Sequence, residues 1–354
     1  MFEKQRIFQR YIVAALCICL SHVAFASEAD VLAAIRNEKI PRAAQVLSGE
    51  ELVKYLKKNQ NFFEAEITPH SYNVQHKIMD LRFINQNRKP VVEDANDNGD
   101  DIPESFDART KWPNCTSIEH IRDQANCGSC WAVSTASVLS DRICIASKQK
   151  KQVHISSIDF VSCCDTCGFG CEGGWPIDAF EYFSYQGAVT GGDYGSKTGC
   201  RPYPFHPCGH HGNETYYGEC PKEESTPKCV KQCQKGYKKS YKRDKTWGED
   251  AYELPNSAKA IQREIMRNGP VVASFIVYDD LSYYVKGIYK HTAGQARGAH
   301  AVKIIGWGTE KYVPYWIIAN SWHNDWGEKG FFRMVRGFNH CGIEQEVVAG
   351  HVRG

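Results

Sequence analysis

The stretch Asp123-Gln124-Ala125-Asn126-Cys127-Gly128-Ser129-Cys130-Trp131 decides how the chain is read. The run that follows, Ala132 to Leu139, predicts a helix with Val133, Ala136 and Ile143 on related faces. Cys130 then stands at the helix N-terminus, where the macrodipole and free N–H groups favour a thiolate. A thiolate is the useful nucleophile near neutral or acidic pH. It needs a cationic partner that also supplies a proton. His300, in Gly298-Ala299-His300-Ala301 at the start of a predicted strand, answers that need. Asn320, in Ala319-Asn320-Ser321-Trp322 after another predicted strand, can orient the imidazole without withdrawing charge from the pair. Trp322 can cover that hydrogen bond. Gln124 can point its side-chain N–H at a developing oxyanion, with the Cys130 backbone N–H as second donor.

Other readings of these residues exist. Cys127-Gly128-Ser129-Cys130 is also a C-x-x-C, compatible with a thiol-disulfide oxidoreductase. That reading gives His300 and Asn320 no work. A structural reading, with Cys130 in a disulfide and His300 in the core, leaves the four-residue pattern to coincidence. A catalytically silent binding protein is opposed by the intact set Cys130, His300, Asn320 and Gln124.

Cys-Gly-Ser-Cys-Trp, with His and Asn far downstream, resembles the papain-like cysteine proteases. The resemblance implies an α+β, two-lobed fold: a helical, disulfide-rich left lobe with Cys130 and a β-barrel-like right lobe with His300 and Asn320. His300 lies 170 and Asn320 190 residues past Cys130, beyond the spacing of about 130–150 in that pattern, so an insertion lies between. Cys200-Arg201-Pro202-Tyr203-Pro204 and Cys208-Gly209-His210-His211, continuing to Cys220, resemble the occluding loop (208–220) of the cathepsin B family. That resemblance runs from Ile102 to Gly350. Residues 315–328 resemble gut cathepsin B enzymes of blood-feeding helminths, which implies digestion of protein such as haemoglobin.

By this resemblance the loop flaps over the primed end of the cleft, and His210 and His211 bind a substrate's C-terminal carboxylate. The implied activity is endopeptidase plus dipeptidyl carboxypeptidase. One family latch joins His210 to Asp123. The other joins a loop Arg to Asp325, but residues 212–219 contain no Lys or Arg, so the expectation is a looser loop and stronger internal cleavage. Loss of the His210–Asp123 pair as pH rises is expected to open the cleft. Gly173 and Gly174 let substrate backbone pair along the cleft wall. Glu346 is placed at the base of the pocket for the second residue before the scissile bond, where it accepts Arg. The implied disulfides are Cys115–Cys144, Cys127–Cys171, Cys163–Cys229, Cys164–Cys167, Cys200–Cys233 and Cys208–Cys220. The Cys163-to-Cys171 stretch is one residue shorter than the family pattern, which singles out the small Cys164–Cys167 ring.

The rest of the chain frames this body. Lys4, Arg6 and Arg10, an apolar run from Tyr11 to Leu20 and Ala24-Phe25-Ala26 read as a signal peptide over 1–26. The run is about half the length a membrane span requires. Residues 27–101 lack Cys, carry a helical pattern over Glu50–Leu56 and end in the acidic stretch Asp94-Ala95-Asn96-Asp97-Asn98-Gly99-Asp100-Asp101. They read as an inhibitory propeptide, with the peptidase domain over 102–354. By resemblance, the propeptide crosses the cleft in the non-productive direction. From Val271 onward, Val271–Val277, Ala301–Ile305, Tyr315–Ala319 and Gly330–Val335 read as strands.

With 354 residues, 42% apolar, and a net charge of +2, the chain is globular and has no bulk charge for nucleic acid. A mean hydropathy of -0.47 excludes a polytopic membrane protein. Of 16 Cys, Cys17 and Cys19 leave with the signal peptide, twelve pair, and Cys130 and Cys341 remain. The usage suits the secretory pathway, ending in a lysosome, outside the cell or in a gut lumen. No cofactor and no metal site is expected, since secreted Cys beside His210-His211 are read as oxidised. Expected partners are protein and peptide substrates, the chain's own propeptide and cystatin-like inhibitors, with no nucleic acid and no membrane. Asn213 and Asn114 head sequons; the first would put glycan on the loop, while Cys115 in a disulfide would hinder the second.

Overall fold

The computed structural model describes residues 27–84 and 101–353. The expected signal peptide, with Cys17 and Cys19, and the acidic stretch from Asp94 to Asp100 lie outside the described residues.

The helix Cys130–Ala146 is buried from Cys130 to Cys144. A helix buried on every face belongs to the centre of a lobe rather than its surface. It packs against the helices Ser157–Cys163 and Pro176–Tyr185 through Trp131, Leu139, Ile158, Phe160, Phe180 and Phe183. The disulfides Cys115–Cys144, Cys127–Cys171, Cys163–Cys229, Cys164–Cys167, Cys200–Cys233 and Cys208–Cys220 tie this half together. Among the described residues, Cys130 and Cys341 are free thiols. Cys127 is joined to Cys171, which removes the C-x-x-C redox reading.

The other half is a sheet of β1 (Phe63–Ala65), β2 (Phe106–Asp107), β3 (Tyr252–Glu253), β4 (Val271–Tyr278), β5 (Tyr284–Tyr289), β6 (Ala296–Glu310), β7 (Val313–Ala319), β8 (Phe331–Val335) and β9 (Glu346–Ala349). The order is β1-β5-β8-β7-β6-β4-β9-β3, with β2 added to β6. Pairing is antiparallel except for β5 with β8. The ladder does not return from β3 to β1, so the expected barrel-like lobe is corrected to an open sheet. The edge at β1 belongs to the N-terminal segment, which covers β5 and so removes an exposed strand edge.

Two buried ion pairs fix one half on the other. Asp141 meets Lys303 of β6 at 2.9 Å, and Arg142 meets Glu264 at 2.8 Å. Arg142 also donates to the carbonyls of Gly269, Pro270 and Gly350. Removing one partner of such a pair costs about 3–5 kcal/mol, because the other charge stays buried.

The N-terminal segment is packed into both halves. Ser27 and Asp30 form a capping box on the helix Glu28–Asn37, which lays Val31, Leu32 and Ile35 against Val313 and Val335. The helix Gly49–Asn59 buries Leu52, Val53 and Leu56. Leu52, Leu56, Phe63, Val74 and Ile78 join the core of the sheet half, whereas Met79 and Phe83 join that of the helical half. The chain crosses from one core to the other between Ile78 and Met79.

Candidate active site

Cys130 opens its helix and is fully buried. Its Sγ accepts the backbone N–H of Ala301 at 3.4 Å, so β6 brings the residue after His300 onto the sulfur. His300 lies within β6, opposite Phe275 of β4. Its Nε2 donates to Asn320 Oδ1 at 2.7 Å, an oxygen that also takes the Ser321 N–H at 2.8 Å. Trp322 stacks over the imidazole with centroids 4.6 Å apart. His300 Nδ1 is buried with no hydrogen-bond partner among the described residues. One ring nitrogen is thus anchored and the other is left for chemistry.

Gln124 is held by three contacts. Its Oε1 accepts Ser321 Oγ–H at 2.6 Å, its Nε2 donates to the Cys127 carbonyl at 2.7 Å, and its own carbonyl accepts Tyr203 O–H at 2.9 Å. The same Nε2 donates at 2.8 Å to the carbonyl of Lys77 from the N-terminal segment. Two residues on, Met79 and Ala299 exchange backbone hydrogen bonds at 2.8 Å in each direction. A peptide therefore fills the site, and that peptide is the chain's own.

This burial changes the expected charge state. It pushes the Cys130 thiol up to about 12, against hydrogen bonds from the Ala301 and Trp131 backbone. It also pushes His300 down to about 4, outweighing the Asn320 hydrogen bond, with the Lys77 charge adding to the shift. The low-pKa thiolate expected from the helix N-terminus is absent here: desolvation beats the dipole, and the pair is held as neutral thiol and imidazole.

Gly173 has a φ of 131°, and a Cβ there would strike the Phe83 ring, so the bare backbone is what admits Phe83. Gly174 leaves room in the same way for the Trp131 ring and the Cys167 carbonyl. Glu346 begins β9 opposite Ser274 and lines a small pocket with Trp175, Pro176, Ile177 and Glu253.

The occluding-loop region departs from expectation. His210 is exposed and stacks on Tyr216 at 4.4 Å, while Asp123 Oδ1 accepts the Ala125 N–H instead. The expected His210–Asp123 latch is not formed. Asp325, expected to lack a partner, is occupied by His211 at 3.1 Å, His323 at 2.8 Å and His70 of the N-terminal segment at 3.1 Å. His211 reaches Asp325 because its backbone follows the Cys208–Cys220 corner, where its Nε2 also meets the Cys208 carbonyl at 3.0 Å. It is therefore buried rather than offered to a substrate. Asn114 and Asn213 are both exposed.

Sequence reasoning passed over His70, Lys77, Met79, Phe83 and His323. Only His323 left a usable signal: an Asp325 with no Arg or Lys in the loop calls for a donor nearby, and His323 is two residues away.

Residues 102–351 match the papain family cysteine protease domain. The chain belongs to the papain family of cysteine proteases. It is 58% identical over 348 residues to cathepsin B-like cysteine proteinase 1 of Ostertagia ostertagi, covering 97% of this chain and 100% of the relative. It is 46% identical over 320 residues to a gut-specific cysteine proteinase of Caenorhabditis elegans, covering 88% and 93%. The solved structure of procathepsin B S9 from Trypanosoma congolense shares 34% identity at a TM-score of 0.72, over 87% of this chain and 99% of that one. Procathepsin L 3 of Tenebrio molitor, at 20% identity and a TM-score of 0.60 over 84% and 86%, shares the fold. This papain-family chain is a cathepsin B-like cysteine peptidase zymogen, and the N-terminal segment in its cleft is its propeptide. Among the described residues, no helix is long and apolar enough to cross a membrane.

Proposed function

We propose that the mature enzyme is a secreted or lysosomal endopeptidase that also removes C-terminal dipeptides, with residues 102–354 as its peptidase domain and 27–101 as its inhibitor. The observation that carries this reading is the Lys77 carbonyl on Gln124 Nε2, a ground-state peptide where a substrate's oxyanion would form. Once the propeptide leaves, Cys130 and His300 regain solvent and form the thiolate–imidazolium pair. Cys130 Sγ attacks the scissile carbonyl carbon, and negative charge moves onto its oxygen. Gln124 Nε2–H and the Cys130 N–H stabilise that charge. The C–N bond breaks as His300 gives its proton to the leaving amine. Water then attacks the thioester, His300 takes its proton, and the acid leaves with the Cys130 thiolate restored. Asn320 keeps the imidazole in plane throughout.

The propeptide passes from Asp325 and the occluding loop, through Gln124, to Gly173. With the loop over the primed side, this is opposite to a substrate's direction, which places no scissile bond correctly. In the mature enzyme His210 and, once freed, His211 take a substrate's C-terminal carboxylate, and Glu346 accepts Arg in its pocket. The likeness to a gut-specific cysteine proteinase supports digestion of dietary or host protein, and the resemblance of residues 315–328 to enzymes of blood feeders points to haemoglobin among them. The test is labelling: an epoxysuccinyl inhibitor is expected to modify Cys130 alone in the processed enzyme, and Cys130→Ala to abolish peptide cleavage. Cleavage retained in Cys130→Ala would overturn the assignment.

A further inference from the structure

The cluster around Asp325 is built from three parts of the chain. His70 comes from the propeptide, His211 from the occluding loop, and His323 and Asp325 from the segment that also carries Asn320. Asp325 Oδ1 receives His70 Nε2 at 3.1 Å, His211 Nδ1 at 3.1 Å and His323 Nδ1 at 2.8 Å. Ligand atoms of His70, His211 and Asp325 lie within 4.8 Å of one another. So do those of Asp123, His211 and His323.

Proton bookkeeping shows what these contacts lack. A neutral imidazole has one N–H and one lone pair. His211 Nε2 faces the Cys208 carbonyl at 3.0 Å, and a carbonyl only accepts, so the ring proton belongs on Nε2. Its Nδ1 lone pair then faces the Asp325 carboxylate at 3.1 Å. His323 is held differently: Asp325, 2.8 Å from Nδ1, takes its ring N–H, and Glu214 lies 3.3 Å from Nε2. A neutral His211 therefore presents an electron pair to an anion, a contact that becomes attractive when a proton or a metal cation takes that nitrogen. The outward contact of His211, to a backbone carbonyl, is of the kind that orients metal-bound imidazoles. The side chains of His70, His211 and His323 are 13%, 5% and 8% exposed, which shelters the site from bulk water.

We propose that His70, His211 and Asp325 bind a zinc-class divalent cation that joins propeptide, occluding loop and peptidase body in the zymogen, with water as the fourth donor. An imidazole-rich set with one carboxylate suits zinc, cobalt or nickel rather than calcium or magnesium. Zinc–nitrogen distances are about 2.0–2.1 Å, so tetrahedral donors stand about 3.3 Å apart, close to the 3.1 Å that separates Asp325 Oδ1 from His70 Nε2 and from His211 Nδ1. This site differs from a Cys–His zinc site, because Cys208 and Cys220 are consumed in a disulfide. It departs from the sequence expectation of no metal, since only the fold brings His70 beside the loop. One ligand comes from the propeptide, so maturation dismantles the site.

The test uses the full-length chain carrying Cys130→Ser, which prevents self-cleavage and removes the thiol as a competing ligand. Native mass spectrometry at neutral pH with micromolar Zn2+ is expected to show a single bound ion. His70→Gln and His211→Gln are each expected to weaken binding about a hundredfold, while His120→Gln, in the separate His120–His154–Asp193 cluster, leaves it unchanged. Co2+ loaded in place of Zn2+ is expected to give intense visible bands of a four-coordinate nitrogen–oxygen site, which needs no variant to fold. No bound ion, an ion retained undiminished by both variants, or an ion lost in His120→Gln would overturn the proposal. Cleavage by the mature enzyme is measured separately and does not depend on this outcome.

Discussion

Gln124 Nε2 donates to the carbonyl oxygen of Lys77 at 2.8 Å, so the donor we propose for the oxyanion is held by the chain's own backbone. In that proposal inhibition and catalysis share one donor, and the neighbouring backbone bridge between Met79 and Ala299 keeps the carbonyl in register.

Replacing Gln124 with Ala removes one oxyanion donor. In the processed enzyme kcat is expected to fall about 10²–10³-fold, with KM little changed. Steady-state kinetics on a fluorogenic dipeptide check this. A change confined to KM would assign Gln124 to substrate binding instead.

Phe83 is fully buried against Gly173 and the edge of Trp175, 5.1 Å away between centroids. Phe83→Ala is expected to cost the closed form about 3–5 kcal/mol. The full-length chain should then process itself faster and hydrolyse peptide before processing. An unchanged lag before activity would show that this anchor contributes little to inhibition.

Burial pushes His300 down to about 4 in the proform, below the 6.5 of a solvated imidazole. Between those values the opened chain binds a proton that the closed one refuses. The closed form is therefore at full stability above pH 6.5, loses it as pH falls through this window, and levels off below 4. The loss is on the order of 3 kcal/mol. Melting curves of the Cys130→Ser zymogen, compared with a version also carrying His300→Gln, should diverge as pH drops from 7 to 4. Parallel curves would sink the idea.

Glu346 shares its pocket with Trp175, Pro176 and Ile177. Glu346→Ala is expected to lower kcat/KM at least tenfold for substrates with Arg at the second position before the cut, while Phe at that position is little affected. Equal losses for both would place Glu346 outside the pocket.

Much of this was legible in residue order. The helix after Cys130 and the strands at Val271, Tyr315 and Phe331 have local causes, apolar period and flanking Gly, and they stand where those signals put them. Cys130, His300 and Asn320 meet as a group because each sits within such an element or directly beside its end, whereas Gln124 is a loop residue held there by Ser321. The charge state was not legible. A helix N-terminus argues for a thiolate, and only the packed structure shows Met79 and Phe83 joining the core that buries it. The loop latches were also beyond reach. Whether His210 or His211 meets an aspartate depends on how the loop closed by Cys208 and Cys220 turns, and a single peptide step exchanges the two rings. The open sheet reflects the same limit: alternation marks strands, but closure depends on long-range register.

The propeptide lends side chains to both cores and an outer strand to the sheet. Cleavage therefore removes part of the template on which the peptidase was assembled. A mature molecule that unfolds can no longer draw on Leu52, Phe63 or Phe83 to find its way back. On that reading the lifetime of the activated enzyme is expected to follow the height of its unfolding barrier rather than its capacity to refold.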